Sequence, residues 1–379
     1  MTPNWKVIAA AAVFLCGAFS AALAASDFPD APSTYVYDPS WPKPLPNDWI
    51  LQGVSGMYAD DDGLIWVLNR PRDITAAESG AASDPPEAEC CTAPPSVLAF
   101  DAEGNLVHAW GIPDSVPGWP AREHTIFVTG DGVVWIGGSQ PGDSLLRFTR
   151  EGEFLGDFGH RGPRGNPDEM QPNNQETNNL LRGVAAAALD EAARELYIAD
   201  GYLNRRLIVL DLDTGDFKRG WGAYGTPISE IGNDPLPPYD PEAPPARTFR
   251  NPVHCVRISD DGLVYVCDRA NNRIQVFTKE GEFLHEFFVA RNTLRGGSAG
   301  SIEFSTDPDQ RYLFVADITN NVVWQLNRGD GAIAGKIGHH GRQGGMFHFI
   351  HVTAMDSMGN LYTGEVAEGK RVQKFTPAQ

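Results

Sequence analysis

A chain of 379 residues that sets 49 acidic side chains against 30 basic ones carries a formal charge of −19. A surface this acidic repels phosphate, which excludes nucleic acid and anionic lipid as natural partners. The length would accommodate two average domains, but repeat architectures of this size commonly form single units.

Residues 1–24 read as a signal peptide: Lys6 gives the positive start, Val7 to Ala22 the apolar run, and Ala22-Leu23-Ala24 a small-x-small cleavage site. Export to the periplasm or the exterior is expected. The apolar run is short for a membrane span and no later run approaches the necessary length, so no membrane insertion is expected. Cys16 follows Val13-Phe14-Leu15, which lacks the small residues of a lipoprotein signal. Residues 25–50 form an N-terminal segment in which Tyr35-Val36-Tyr37 reads as a short strand ahead of a proline-rich run.

Residues 51–379 are built from repeats, seen most clearly in Asn251 to Phe277, NPVHCVRISDDGLVYVCDRANNRIQVF. Apolar and β-branched residues alternate around an Asp-Asp-Gly turn, which predicts strand, tight turn, strand, loop and strand. Related units begin near Val54, His124, Arg182, Gly300 and His351. Six such units predict an all-β fold, a six-bladed β-propeller of four-stranded antiparallel blades around a central channel. Blade six runs out after its third strand, at Phe375, and the Tyr35 strand is the candidate to supply the fourth and close the ring.

In a propeller blade, connections 1–2 and 3–4 share one face, while connections 2–3 and the links between blades share the other. The turns DDDG, GDG, AEGN, REGE and KEGE are all short and fall on the first face. The long segments Pro71–Pro95, His160–Leu181, Tyr224–Arg250 and His339–Phe349 all fall on the second. Binding or chemistry is expected on that elaborated face, because long loops on a rigid scaffold are where function resides.

Counting back eight residues from the turn glycines Gly132, Gly262 and Gly359 reaches His124, His254 and His351. The same count from Gly63 reaches Ser55, blade five aligns Gly300, and blade three places Arg182 or Gly183 nearby. Histidine thus occupies one register in alternate blades. Three imidazoles converging on the axis would make a metal site with an open fourth position. The bland alternative is polar residues lining a wet channel, or histidines satisfied by the backbone. His348 could compete with His351, but the turn count favours His351.

Counting forward seven residues from Gly63 and Gly262 reaches Arg70 and Arg269, and blade three offers Tyr202 one step on. Two guanidinia and a phenol around a metal suit a substrate bearing a carboxylate, which arginine binds as a fork while tyrosine moves a proton. The alternative is that these arginines pair with loop acids such as Asp73 or Asp268. Asp200, Asp268, Asp317 and Glu365, at the ends of second strands, read as structural acids that bond the following turn. Cys255 and Cys267 face each other across a hairpin, as a disulfide or as two thiols, and Cys90 and Cys91 have no evident partner but each other or a second chain.

DRANNRIQVF and DGYLNRRLIVLD resemble NHL repeats, and the chain is similar to the peptidyl-α-hydroxyglycine α-amidating lyases, which split such a peptide into an amide and glyoxylate. The resemblance implies zinc held by His124, His254 and His351, a catalytic tyrosine at Tyr202 within Asp200-Gly201-Tyr202-Leu203-Asn204, and functional arginines at Arg70 and Arg269. That family holds a structural calcium through an aspartate just after the last zinc histidine. Val352 stands there in this chain, so calcium is not expected at that position. The expected partner is a small-molecule or peptide substrate bearing a carboxylate. Competing readings are another metal-dependent hydrolase acting on a small carboxylate or ester, and a non-catalytic NHL propeller that binds a protein or glycan.

Overall fold

The computed structural model describes residue 1 and residues 34–140, 145–159, 171–177 and 181–378; apart from Met1, the expected signal peptide lies outside the described residues. Among the described residues, no helix is long and apolar enough to cross a membrane.

The strands assemble into six four-stranded sheets. Five use strands consecutive in sequence, within residues 53–110, 122–158, 184–221, 253–288 and 301–337. In the sixth, Ile350–Met355 is innermost, followed outward by Leu361–Glu365, Val372–Pro377 and Tyr35–Asp38. Tyr35 pairs with Pro377 and Asp38 with Lys374, so a strand from residues 35–38 completes the last blade and fastens the ring.

A single blade leaves apolar side chains on both faces, and burial against its neighbours removes them from water at about 25 cal/mol per Å². Each of six core clusters spans two adjacent blades. Phe127 and Trp135 of blade two pack against Leu196 and Ile198 of blade three, Val256 of blade four meets Val209 of blade three, and Tyr362 of blade six meets Val54 and Val67 of blade one. The last contact closes the circle, so every blade is covered on both sides.

The turn glycines do the work the repeat count assumed. Gly63, Gly132, Gly262 and Gly359 all sit at φ between 79° and 85°, in the left-handed region where a side chain is disfavoured. They fix the register of the inner hairpin in four blades. The hairpins add a feature of their own: a bulge interrupts the pairing at Val54/Gly56, Glu123/Thr125, Val184/Ala186, Val253/Cys255 and Ile350/Val352. The residues set out of the ladder are therefore Ser55, His124, Ala185, His254 and His351. A bulge re-aims the extra side chain, and here it does so five times around one axis. Cys255 and Cys267, opposite one another one step further on, are joined by a disulfide, as are Cys90 and Cys91.

Candidate metal centre

The bulged register corrects one sequence expectation. Blade three contributes Ala185, not Arg182 or Gly183, because the longer Asp190–Arg194 turn shifts the count while the bulge keeps its place in the ladder. In blade five, Ser301 pairs with Ala316 as Cys255 pairs with Cys267, which leaves Gly300 in the equivalent place. The ring of six therefore reads Ser55, His124, Ala185, His254, Gly300, His351, with histidine and a small residue in strict alternation.

The alternation is what lets the imidazoles meet. Their ring centroids lie 5.0, 4.8 and 4.9 Å apart, a nearly equilateral triangle. All three residues are buried, and one nitrogen from each falls within 4.8 Å of the others, so that small ring adjustments bring them onto one ion. Bonds of about 2.0–2.1 Å would then hold it.

The small residues also orient the ligands. His124 Nδ1 lies 2.8 Å from the carbonyl of Ala185, and His254 Nδ1 lies 2.5 Å from that of Gly300. A carbonyl only accepts, so both Nδ1 atoms carry the proton and both Nε2 atoms present lone pairs, the arrangement that fixes a metal-binding tautomer. His254 Nε2 and His351 Nδ1 are buried with no partner among the described residues, and buried polar atoms are rarely left so. Burial, with the Arg70 guanidinium next in weight, holds the His124 imidazole well below its usual range, and burial does the same for His254 and His351. Neutral, converging imidazoles, two of them tautomer-locked, fit a transition-metal ion.

Tyr202, Arg70 and Arg269 stand around this triangle. The Tyr202 hydroxyl donates to His124 Nε2 at 2.6 Å, and its ring centroid is 4.8 Å from that of His124 and 6.0 Å from that of His254. Burial raises the phenol above its ordinary range, while Arg269 and then Arg70 oppose the rise. The arginines do not pair with the loop acids. Asp268 is taken by Arg273 at 2.8 Å, and Asp73 lies 3.9 Å from Arg122. Among the described residues neither Arg70 nor Arg269 has a carboxylate within 4.0 Å. Arg70 is 6% exposed and gives its Nε to the Glu123 carbonyl at 2.8 Å. Arg269 keeps its Nε buried and unbonded. Burial pushes both guanidinia below their usual range. A buried cation without a counter-ion is costly, and an anionic ligand would relieve the cost.

The acids at the ends of second strands brace the frame from behind. Asp200 accepts from the Arg182 amide at 2.7 Å and pairs with Arg206 at 2.9 Å. Asp268 accepts from the Arg250 amide, Glu365 from the His348 amide, and Asn69 plays the same part for the Gln52 amide. Each clamps the chain entering its inner strand just ahead of the ring position. The bonds therefore reach back to the incoming segment as well as forward to the turn. His348 is not part of the triangle: it contacts Arg342 at the surface.

A cavity of about 530 Å³ opens beside Arg70, lined also by Asp73, Arg122, Arg342 and Lys370. Its walls come from the insertion after residue 70, the 2–3 loop of blade six, the link between blades five and six, and Arg122 at the start of the inner strand of blade two. The arrangement thus joins a metal-type triangle, a proton-carrying phenol, two cations without carboxylate partners and a space for the rest of a ligand. Counting from turn glycines found the histidines and arginines, but not the carbonyls of Ala185 and Gly300. Their signal in the sequence is only the small residue between histidine blades.

The NHL repeat family model matches residues 251–277. The chain is 27% identical over 410 residues to NHL repeat-containing protein 3 of Mus musculus, covering 100% of this chain and 97% of that one. Over 197 residues it is 28% identical to peptidyl-glycine alpha-amidating monooxygenase B of Xenopus laevis, a stretch that is 51% of this chain and 20% of that protein. Among solved structures, a structural genomics protein of unknown function from Bacteroides thetaiotaomicron superposes with a TM-score of 0.51 at 13% identity, over 86% of this chain and 70% of that one. That likeness is one of fold.

Proposed function

We propose that the protein is an exported zinc-dependent lyase that cleaves the C–N bond of an α-hydroxyglycine amide to give an amide and glyoxylate. The observation that carries the reading is the pair of buried guanidinia without carboxylate partners beside a phenol that touches the histidine triangle. A non-catalytic scaffold gives no reason to bury Arg70 and Arg269 with no carboxylate among the described residues beside them. The partial likeness to the amidating protein supports the same reading.

Three imidazoles with an open position suit zinc, which when bound would acidify the substrate hydroxyl as it does water. Arg70 and Arg269 bind the carboxylate that becomes that of glyoxylate, fixing the α-carbon beside the triangle. Tyr202, as phenolate, takes the hydroxyl proton. The C–O bond becomes a carbonyl, the C–N bond breaks with its electron pair going to nitrogen, and the phenol returns a proton to that nitrogen. No oxidant or reductant is consumed. The amide portion extends into the cavity beside Arg70.

Purified protein should contain about one equivalent of zinc and release glyoxylate from an N-acyl α-hydroxyglycine. Zinc-loaded protein that releases none would remove the lyase reading and leave a hydrolase of another small carboxylate or ester. Less than about half an equivalent after mild preparation would argue against the metal site altogether.

Arg269→Met separates binding from folding. Replacing a desolvated cation that has no carboxylate partner among the described residues by a methionine should leave the melting temperature unchanged or higher, while KM for the carboxylate substrate rises at least about tenfold. A lowered melting temperature with unchanged KM would make Arg269 a structural residue.

A further inference from the structure

The loop that carries Tyr202 is held from an unexpected side. Residues 201–204 follow the strand Glu195–Asp200 and belong to no ladder. Three of their amides bond within blade three: those of Gly201 and Tyr202 reach the Gly183 carbonyl at 3.2 and 3.1 Å, and that of Leu203 reaches the Arg182 carbonyl at 2.9 Å. Their carbonyls turn the other way. The oxygens of Gly201, Tyr202, Leu203 and Asn204 lie 2.9, 3.3, 3.0 and 2.8 Å from a single atom, Asn251 Nδ2. Two N–H bonds are thus shared among four acceptors. Asn251 belongs to blade four and stands three residues before His254. The contact is close along its length, since a Cβ on Gly201 would come within 2.0 Å of the Val253 carbonyl.

We infer that Asn251 is the positioning residue for Tyr202: its carboxamide gathers the four loop carbonyls and so sets the phenol against the imidazoles. The inference rests on the proposed role of Tyr202 in proton transfer. Asparagine is needed at this place because only its nitrogen presents two donors at this reach. Aspartate has the same shape but would put an anionic oxygen against four carbonyl oxygens. Alanine would leave the carbonyls to water and the loop free to turn.

The test uses the zinc-loaded full chain with Asn251→Asp and Asn251→Ala, each in the wild-type and the Tyr202→Phe background. Both single variants should keep zinc content and KM within about twofold, and lose at least about tenfold in kcat, because an ångström of misplacement costs on that order or more. In the Tyr202→Phe background the same substitutions should cost nothing further, since they act only through the phenol. An equal loss in both backgrounds, or none in either, overturns the proposal. Amide hydrogen exchange reads the loop without any substrate. Exchange at residues 201–204 should rise in both variants while the inner strands stay protected, and unchanged exchange at 201–204 would overturn the proposal even in a protein that proved not to be a lyase.

Discussion

His254→Ala is expected to empty the centre: zinc content falls from about one equivalent to less than about a tenth, and glyoxylate release falls by at least about a thousandfold. The reason lies in the geometry of the triangle. His254 Nε2 is a buried lone pair with no partner among the described residues, its proton fixed on Nδ1 by the Gly300 carbonyl. Each of three imidazoles supplies a third of the donor set, and a two-histidine site open to water holds zinc far more weakly. The fold should survive, because neighbouring Cys255 and Val256 carry the apolar packing of that strand. Removing a desolvated polar ring also leaves no charge behind. The check is metal analysis together with thermal unfolding in chelator: the wild type should lose stability when zinc is removed, and His254→Ala should not respond. A variant that still binds a full equivalent would show that the histidines are polar channel lining.

Tyr202→Phe is expected to keep the metal and lose the chemistry, with kcat down by about a hundredfold to ten-thousandfold and KM within about threefold. The phenylalanine ring can fill the same place, so what disappears is the hydroxyl now bonded to His124 Nε2. The pH dependence adds a second reading. Burial raises the phenol above its ordinary range, with Arg269 and Arg70 pulling against it, so the fraction ionised in the free protein grows as pH rises. If phenolate is the base, the wild-type rate climbs with pH toward alkaline values, and the variant's rate should be flat over that interval. Full activity in Tyr202→Phe, or an unchanged alkaline limb, would remove the tyrosine from the mechanism.

Much of this architecture is legible in the amino-acid sequence. The Asp-Asp-Gly and Gly-Asp-Gly turns set a local ruler, because glycine in the left-handed region fixes where an inner hairpin reverses. Measuring from Gly132, Gly262 and Gly359 therefore found three histidines that the fold brings within 4.8 Å. The same ruler failed in blade three, where the turn is longer, and the place belongs to Ala185. The disulfide between Cys255 and Cys267 was open to either reading, since a hairpin can bring two sulfurs together without saying whether they are oxidised.

The repeat is written in the chain: the alternation within strands, the turn residues, the recurrence of histidine in every second blade and the concentration of long loops on one face. These are local properties, set by backbone sterics and by side-chain period. Which groups are left without partners depends instead on the assembled ring. The bulges that aim Ser55, Ala185 and the histidines at the axis arise from strand pairing, and no residue type marks them. The Ala185 and Gly300 carbonyls lock the His124 and His254 imidazoles, each from the next blade round. Asp268 goes to Arg273 rather than Arg269, and the carbonyls around Tyr202 go to Asn251. Hydrogen bonds and ion pairs are settled by competition among all the groups within reach, and in a closed ring the winning competitor stands on another blade.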